Sequence, residues 1–240
     1  LRFLTNAVAA WILLLPLTAM SSEVVVYSAR NEQLIKPLFD RYTQETGVNV
    51  RYITDKAGPL LQRLEAEGRR TPADMLITVD AGNLWHAAEN GVLAEISSPI
   101  LEANVPANLR DPQGRWFGLS ERARTLVYST DRVRPQDLSS YEDLADPKWR
   151  GRLCLRTSKK VYNQSLVAAL IARLGEEQAE QVVRGWVENL AVAPFSNDTK
   201  AMQAVAAGQC DVTIVNTYYF GRLQTQQPDI KLGIFWPNQD

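Results

Sequence analysis

The sequence predicts an α/β protein built as two lobes. Three observations carry that expectation: short β-branched runs alternate with helical patterns, a stretch rich in proline, glycine and polar residues interrupts them at 97–118, and the alternation then resumes. Such alternation marks a layer on a largely parallel sheet, because parallel neighbours need a long crossover that a helix supplies.

In the first half, strands are expected over 23–27, 49–53 and 73–78, each followed by a helix, over 31–46, 58–68 and 81–90, the last ending at Gly91. After the interruption a strand is expected over 124–129, a loop over 130–140 and a strand over 152–156. Helices follow over 163–174, 176–189 and 199–208, then a strand over 210–215. A strand over 231–235, leading to Trp236 and Pro237, is the exit. The expected organisation is a leader over 1–22, a first lobe over 23–125, a second over 126–233, and a return crossing over 234–240. No repeat, heptad pattern or low-complexity tract is visible.

The 240 residues are 45% hydrophobic and 22% charged, the composition of an ordinary folded chain. With 26 basic and 27 acidic residues the net charge is -1, so no positive field exists to hold a phosphate backbone. No nucleic-acid partner is expected on that ground. The one strongly apolar stretch runs over 7–17, preceded by Arg2 and followed by small and polar residues to Ser22. A membrane span needs about 20 apolar residues. The pattern is that of a secretory leader cut near Ser21 or Ser22, with export to the periplasm. A buried helix is the competing account, and the strand that follows at once argues against it. No cysteine stands at the cleavage site to take a lipid. The chain lacks an initiating Met and stops at Asp240 without a terminal helix, so truncation at both ends is expected.

Ligands in α/β sheets gather at the carboxyl ends of strands. Four loops therefore stand out: 28–32 with Asn31 and Glu32, 79–83 with Asp80, 157–163 with Lys159, Lys160 and Tyr162, and 216–219 with Asn216, Tyr218 and Tyr219. Tyr218 and Tyr219 are adjacent at a strand end, and Tyr162 stands at a helix start in the same lobe. A phenol titrates near 10, so it is a poor ligand at neutral pH until a highly charged cation displaces its proton. Ferric ion does this, whereas copper(I) and zinc favour thiolate and imidazole. On spacing alone, two aromatics packed at a strand end is the simpler account of Tyr218 and Tyr219. His86 is the only histidine, and its place within a helix beside Trp85 reads as structural.

Five runs change that balance: Val24 to Arg30, Thr71 to Asp74, Gly118 to Arg124, Tyr162 to Ala168 and Asn216 to Tyr219. In this order, from about Glu23 to the last residue, the chain resembles the periplasmic ferric-iron-binding protein family, the bacterial transferrins. The resemblance implies a type 2 periplasmic binding protein with a ligand cleft between its lobes, and a missing helical C-terminal segment packed mostly on the first lobe. It implies a monomeric solute-binding component of an iron ABC importer, which captures ferric ion and delivers it to an inner-membrane permease, with no enzymatic step.

Carried over, the resemblance makes Tyr162, Tyr218 and Tyr219 the iron ligands. Where relatives often place a His or a His-Tyr pair this chain has Asn31 and Glu32, and where some place a glutamate it has Val79 beside Asp80. That pattern is similar to the branch in which three tyrosinates and a small synergistic anion, commonly carbonate, complete the shell. Arg122 and Arg124 lie two apart, where a strand would point both to one face, and a guanidinium fork suits a bidentate anion. A salt bridge is the alternative for either arginine. Lys159, Lys160, Asn197 and Asn216 are secondary candidates.

Cys154 and Cys210, the only cysteines, form an even count behind a leader, which fits a disulfide in an oxidising compartment. Two buried free thiols is the other account. The alternative is a binding protein on the same scaffold for another solute, such as a polyamine, phosphonate or oxyanion: a polyamine site would need convergent carboxylates and aromatic walls, and a free oxyanion site would use the arginines without recruiting three phenols. An enzyme is disfavoured by a single His and by the lack of GxSxG, HExxH, Walker or GxGxxG patterns.

Overall fold

The computed structural model describes residues 22–239, which divide into two compact units, one ending at Thr78 and the other beginning at Val79. The leader expected over 1–22 lies, apart from Ser22, outside the described residues. Among the described residues no helix is long and apolar enough to cross a membrane.

The first unit is a parallel sheet ordered β2-β1-β3, with β1 at Glu23–Ser28, β2 at Asn49–Thr54 and β3 at Met75–Ile77. Helices α1 (Glu32–Thr46) and α2 (Ala57–Glu67) supply the crossovers. Gly47 ends α1 at φ 74, its N–H bonding the Thr43 carbonyl, the left-handed stop that glycine adopts without strain. Val26 of the central strand is buried with Ile35 and Phe39 of α1. Its neighbour Tyr27 points to the opposite face, as strand alternation requires. There its hydroxyl donates to Glu67 at 2.9 Å and the Arg63 guanidinium lies 5.0 Å from the ring centre. β3 is shorter than the expected 73–78 because Asp74 takes up both polar groups of Val25, its N–H reaching the carbonyl and its carboxylate accepting the N–H at 2.8 Å.

The second unit is a mixed sheet ordered β5-β6-β4-β7, with β4 at Arg124–Ser129, β5 at Leu153–Cys154, β6 at Val212–Asn216 and β7 at Leu232–Phe235. β4 runs antiparallel to both neighbours, and β5 is parallel to β6. Six helices accompany it: α3 (Ala81–Glu89), α4 (Pro99–Asn104), α5 (Val161–Leu174), α6 (Glu176–Glu188), α7 (Asp198–Ala206) and α8 (Thr217–Gln226). The two central strands are buried on both faces. Leu126, Tyr128, Val212 and Ile214 pack with Leu170 of α5 and Trp186 of α6. Val127 and Val215 point the other way, into Met202 and Val205 of α7 and Phe220 and Leu223 of α8. Helices thus cover the sheet on both sides, which is why its strands read as continuous apolar runs.

Three local departures have simple causes. The interruption at 97–118 contains α4, started by Ser98 capping the Leu101 N–H with Pro99 in the first turn; six residues are too few for a periodic signal. β5 stops at Cys154, and the chain beyond it makes only an isolated bridge from Arg156 to Phe195. Gly185 lets α6 touch the turn at Ala145, since an added Cβ would sit 2.5 Å from the Ala145 Cβ.

Cys154 and Cys210, 56 positions apart in sequence, are joined, with Cα atoms 5.9 Å apart. Closing a loop of that size stabilises by about 4 kcal/mol on the chain-entropy model. The bond ties the start of the α5 approach to the start of β6.

One turn carries a strongly displaced carboxylate. Asp111 accepts from the backbone N–H groups of Gln113 and Arg115 and takes both ends of the Arg115 guanidinium, at 2.8 and 2.9 Å. The Arg115 hydrogen bonds, opposed by desolvation, lower its pKa from 3.8 to about 2. A carboxylate depressed in the folded state stabilises above its unfolded value, and that stabilisation is lost as pH falls through the folded one. Asp111→Asn is therefore expected to lower the melting temperature at neutral pH, with the gap to wild type closing between about pH 4 and pH 2. A gap that stays constant across that range contradicts the assignment.

Candidate metal centre

Tyr162 is the second residue of α5, and Tyr218 and Tyr219 lie in the first turn of α8. The sequence places the latter pair in a loop after the strand over 210–215, where the structure has the start of a helix. The helix forms instead because Phe220 and Leu223 then reach the core on one side of it. The rings of Tyr218 and Tyr219 are tilted by 38° with centres 4.3 Å apart, and the Tyr218 phenol interacts with those of both Tyr219 and Tyr162. Two separate helix starts thus bring three phenols together.

Burial raises the pKa of Tyr218, with the Tyr219 and Asn216 hydrogen bonds acting against it. Burial also raises Tyr219, its neighbour Tyr218 adds to this, and the Arg156 guanidinium opposes it. Both phenols are therefore protonated at neutral pH. Among the described residues no three His, Cys, Asp or Glu side chains gather as a metal set. The concentrated oxygen donors of this unit are the phenols.

Behind them lies a buried polar layer. Asn216, the last residue of β6, donates from Nδ2 to the Tyr218 hydroxyl at 3.2 Å and accepts at Oδ1 from Arg124 Nη1 at 3.0 Å. Arg124 is the cross-strand partner of Asn216, so sheet register sets that contact. Its Nη2 donates to the Ile214 carbonyl at 2.8 Å, and Nη1 lies 3.5 Å from Asp198 Oδ2. Desolvation lowers the Arg124 pKa, with Asp198 pulling it back up. Arg122 precedes β4 rather than lying on it, so the two arginines do not share a strand face. It sits half-buried with its guanidinium 5.9 Å from the Tyr218 ring centre.

Two residues of this layer were not anticipated. Arg156 is buried, its guanidinium 5.5 Å from the Tyr162 ring centre and paired with Asp198 Oδ1 at 3.4 Å. Asp198, wholly buried at the start of α7, receives both arginines. The available signal was Arg156 itself, a charged residue closing the apolar run 153–155, which reads as a strand end but places a cation beside the Tyr162 ring at the start of α5.

The other candidates have local duties. Asn197 caps α7, its Oδ1 accepting the Lys200 N–H at 2.9 Å. Asp80, at φ 75, caps α3 and accepts at Oδ1 from the Gly82 N–H at 3.0 Å and from Ser165 Oγ at 2.6 Å. That second bond ties Asp80 to α5 one turn beyond Tyr162. Asn31 and Glu32 belong to the first unit, where Asn31 begins α1 and Glu32 accepts from the Tyr52 hydroxyl at 3.0 Å. Lys159, Lys160 and His86 are exposed.

Residues 70–239 match the family of bacterial extracellular solute-binding proteins. The chain is 46% identical over 224 residues to iron uptake protein A1 of Synechocystis, covering 91% of this chain and 62% of that protein. Among solved structures it is similar to the Trichodesmium IdiA (FutA) complex with iron and citrate, at 44% identity and a TM-score of 0.86, covering 91% of this chain and 71% of that one. The ferric binding protein of Campylobacter jejuni gives 35% identity and a TM-score of 0.83 over 90% and 71%. The chain thus spans about 62% of the length of that curated relative.

The two arginines are expected to separate in stability. Arg124→Ala strands the buried Asn216 and Ile214 acceptors and should cost about 2 kcal/mol or more in denaturant unfolding. Arg122→Ala, on a half-buried loop position, should stay within about 0.5 kcal/mol of wild type. Equal losses from the two would contradict the different placement of their side chains.

Proposed function

Since the chain belongs to the bacterial extracellular solute-binding protein family, we propose that it captures ferric ion in the periplasm through Tyr162, Tyr218 and Tyr219 and delivers it to an inner-membrane ABC permease. The observation that carries this reading is the meeting of the three phenols in one unit. Three phenolates neutralise a trivalent cation, and a hard oxygen set suits ferric ion better than softer metals. The names of its relatives, which bind ferric iron or serve iron uptake, support the same cargo.

Three phenolates leave an octahedral ion half coordinated. A small bidentate anion, carbonate by preference, completes the shell in this proposal. Arg122 is its better cationic partner, because Arg124 is engaged by Asn216, Ile214 and Asp198. Asp80 is a weaker candidate for a direct ligand, since Oδ1 already serves two hydrogen bonds. The role is binding and release, with no bond made or broken in the cargo, and the working form is a monomer.

The sign of the pH dependence follows from the phenols. Burial keeps Tyr218 and Tyr219 protonated in the empty site, so loading releases protons and acid favours release of the ion. Ferric titrations of Tyr162→Phe, Tyr218→Phe and Tyr219→Phe, with and without bicarbonate, test the reading. Each variant should fold as wild type and lose more than the roughly 10- to 100-fold that an outer partner costs. Bicarbonate should tighten wild-type binding and have little effect on Arg122→Ala. Wild-type affinity in all three tyrosine variants would overturn the ligand assignment.

A further inference from the structure

We propose that Asp198 and Arg156 are positioning residues for the tyrosine cluster, with Asp198 as a hub whose two oxygens each hold one of the guanidiniums that set the phenols. The inference rests on the tyrosinate reading above and adds to it the parts that fix the geometry.

The two arms are separate. Asp198 Oδ1 holds Arg156 at 3.4 Å, and Arg156 lies 5.5 Å from the Tyr162 ring centre and acts on the Tyr219 phenol. Asp198 Oδ2 holds Arg124 at 3.5 Å and accepts the Asn216 N–H at 3.3 Å. Arg124 in turn fixes the Asn216 amide, which donates to Tyr218. All three tyrosines are therefore reached from one carboxylate, on residues far apart in sequence.

A merely structural salt bridge would not need this layout. A buried ion pair gains little stability over apolar replacements, and here two cations share one anion, so a positive charge is left over in the interior. Arg156 Nε and Arg124 Nε are both buried without a hydrogen-bond partner, a cost that a fold built only for stability would avoid. The arrangement makes sense if the forks are held for the phenols. The tyrosines stand on two separate helix starts, α5 and α8, and Arg156 lies beside the Tyr162 ring on one and acts on the Tyr219 phenol on the other. An outer group that orients ligands in this way is worth about 10- to 100-fold in metal affinity.

The test uses the full chain loaded with ferric ion in bicarbonate buffer, reading affinity together with the wavelength of the visible tyrosinate-to-iron band. Arg156→Gln, which keeps the length and loses the charged fork, should bind about 10- to 100-fold more weakly with a displaced band. Arg156→Lys, which keeps the charge without the fork, should recover part of the affinity and little of the band position. Asp198→Asn should shift the band through both arms. If Arg156→Gln does not fold, the Lys variant decides. Unchanged affinity and band in a folded Arg156 variant overturn the proposal. A wild-type protein that shows no tyrosinate band at all overturns the ligand reading instead, so the two failures are distinguishable.

Discussion

The pairing of β4 with β6 places Arg124 directly across from Asn216, and the chemistry of the second unit hangs on that register. A strand slipped by one residue sends every side chain to the opposite face. Here it would take Leu126 and Ile214 out of one core cluster, Val127 and Val215 out of the other, and Arg124 away from the amide that supports Tyr218. The same burial that holds the core thus holds the polar layer. The disulfide joins Cys154, the last residue of β5, to Cys210, just before β6, and so ties together the neighbouring pair of parallel strands.

The phenols belong to a class of donor that is neutral until used. In the empty site burial pushes Tyr218 and Tyr219 further from ionisation, so the unit does not present a cluster of anions that would attract any cation. On the proposed function, only an ion acidic enough to strip several phenols gains from the site, and the charge appears together with the cargo. That separates capture from simple electrostatic attraction, and it makes acid the natural trigger of release. The supporting layer is built from fixed charges instead, with two guanidiniums and one carboxylate locked by sheet and helix.

Much of this was legible in the sequence. The alternation of strands and helices gave the α/β class, because apolar period and turn residues report elements directly. The three tyrosines stood after strands, where ligands gather. What escaped the reading depended on distance across the fold. α8 was hidden because its first turn is made of strand-forming residues and its helical packing is a tertiary effect. Arg156 and Asp198 lie 42 positions apart, and nothing local marks either as part of a network. Arg122 and Arg124 looked like a pair on a strand face, yet the strand begins at Arg124. The local sequence had no means of showing that one would be sealed inside and the other left over a tyrosine ring.

The most direct check on the central claim is vibrational: resonance Raman spectra of the iron-loaded protein, excited within its visible absorption band. If the three tyrosines bind the ion, the spectrum is dominated by ring modes of metal-bound phenolate, and these weaken in each single Tyr→Phe variant while protein folding is unchanged. An iron-loaded protein whose spectrum lacks phenolate modes, or keeps them at full strength in all three variants, contradicts the account.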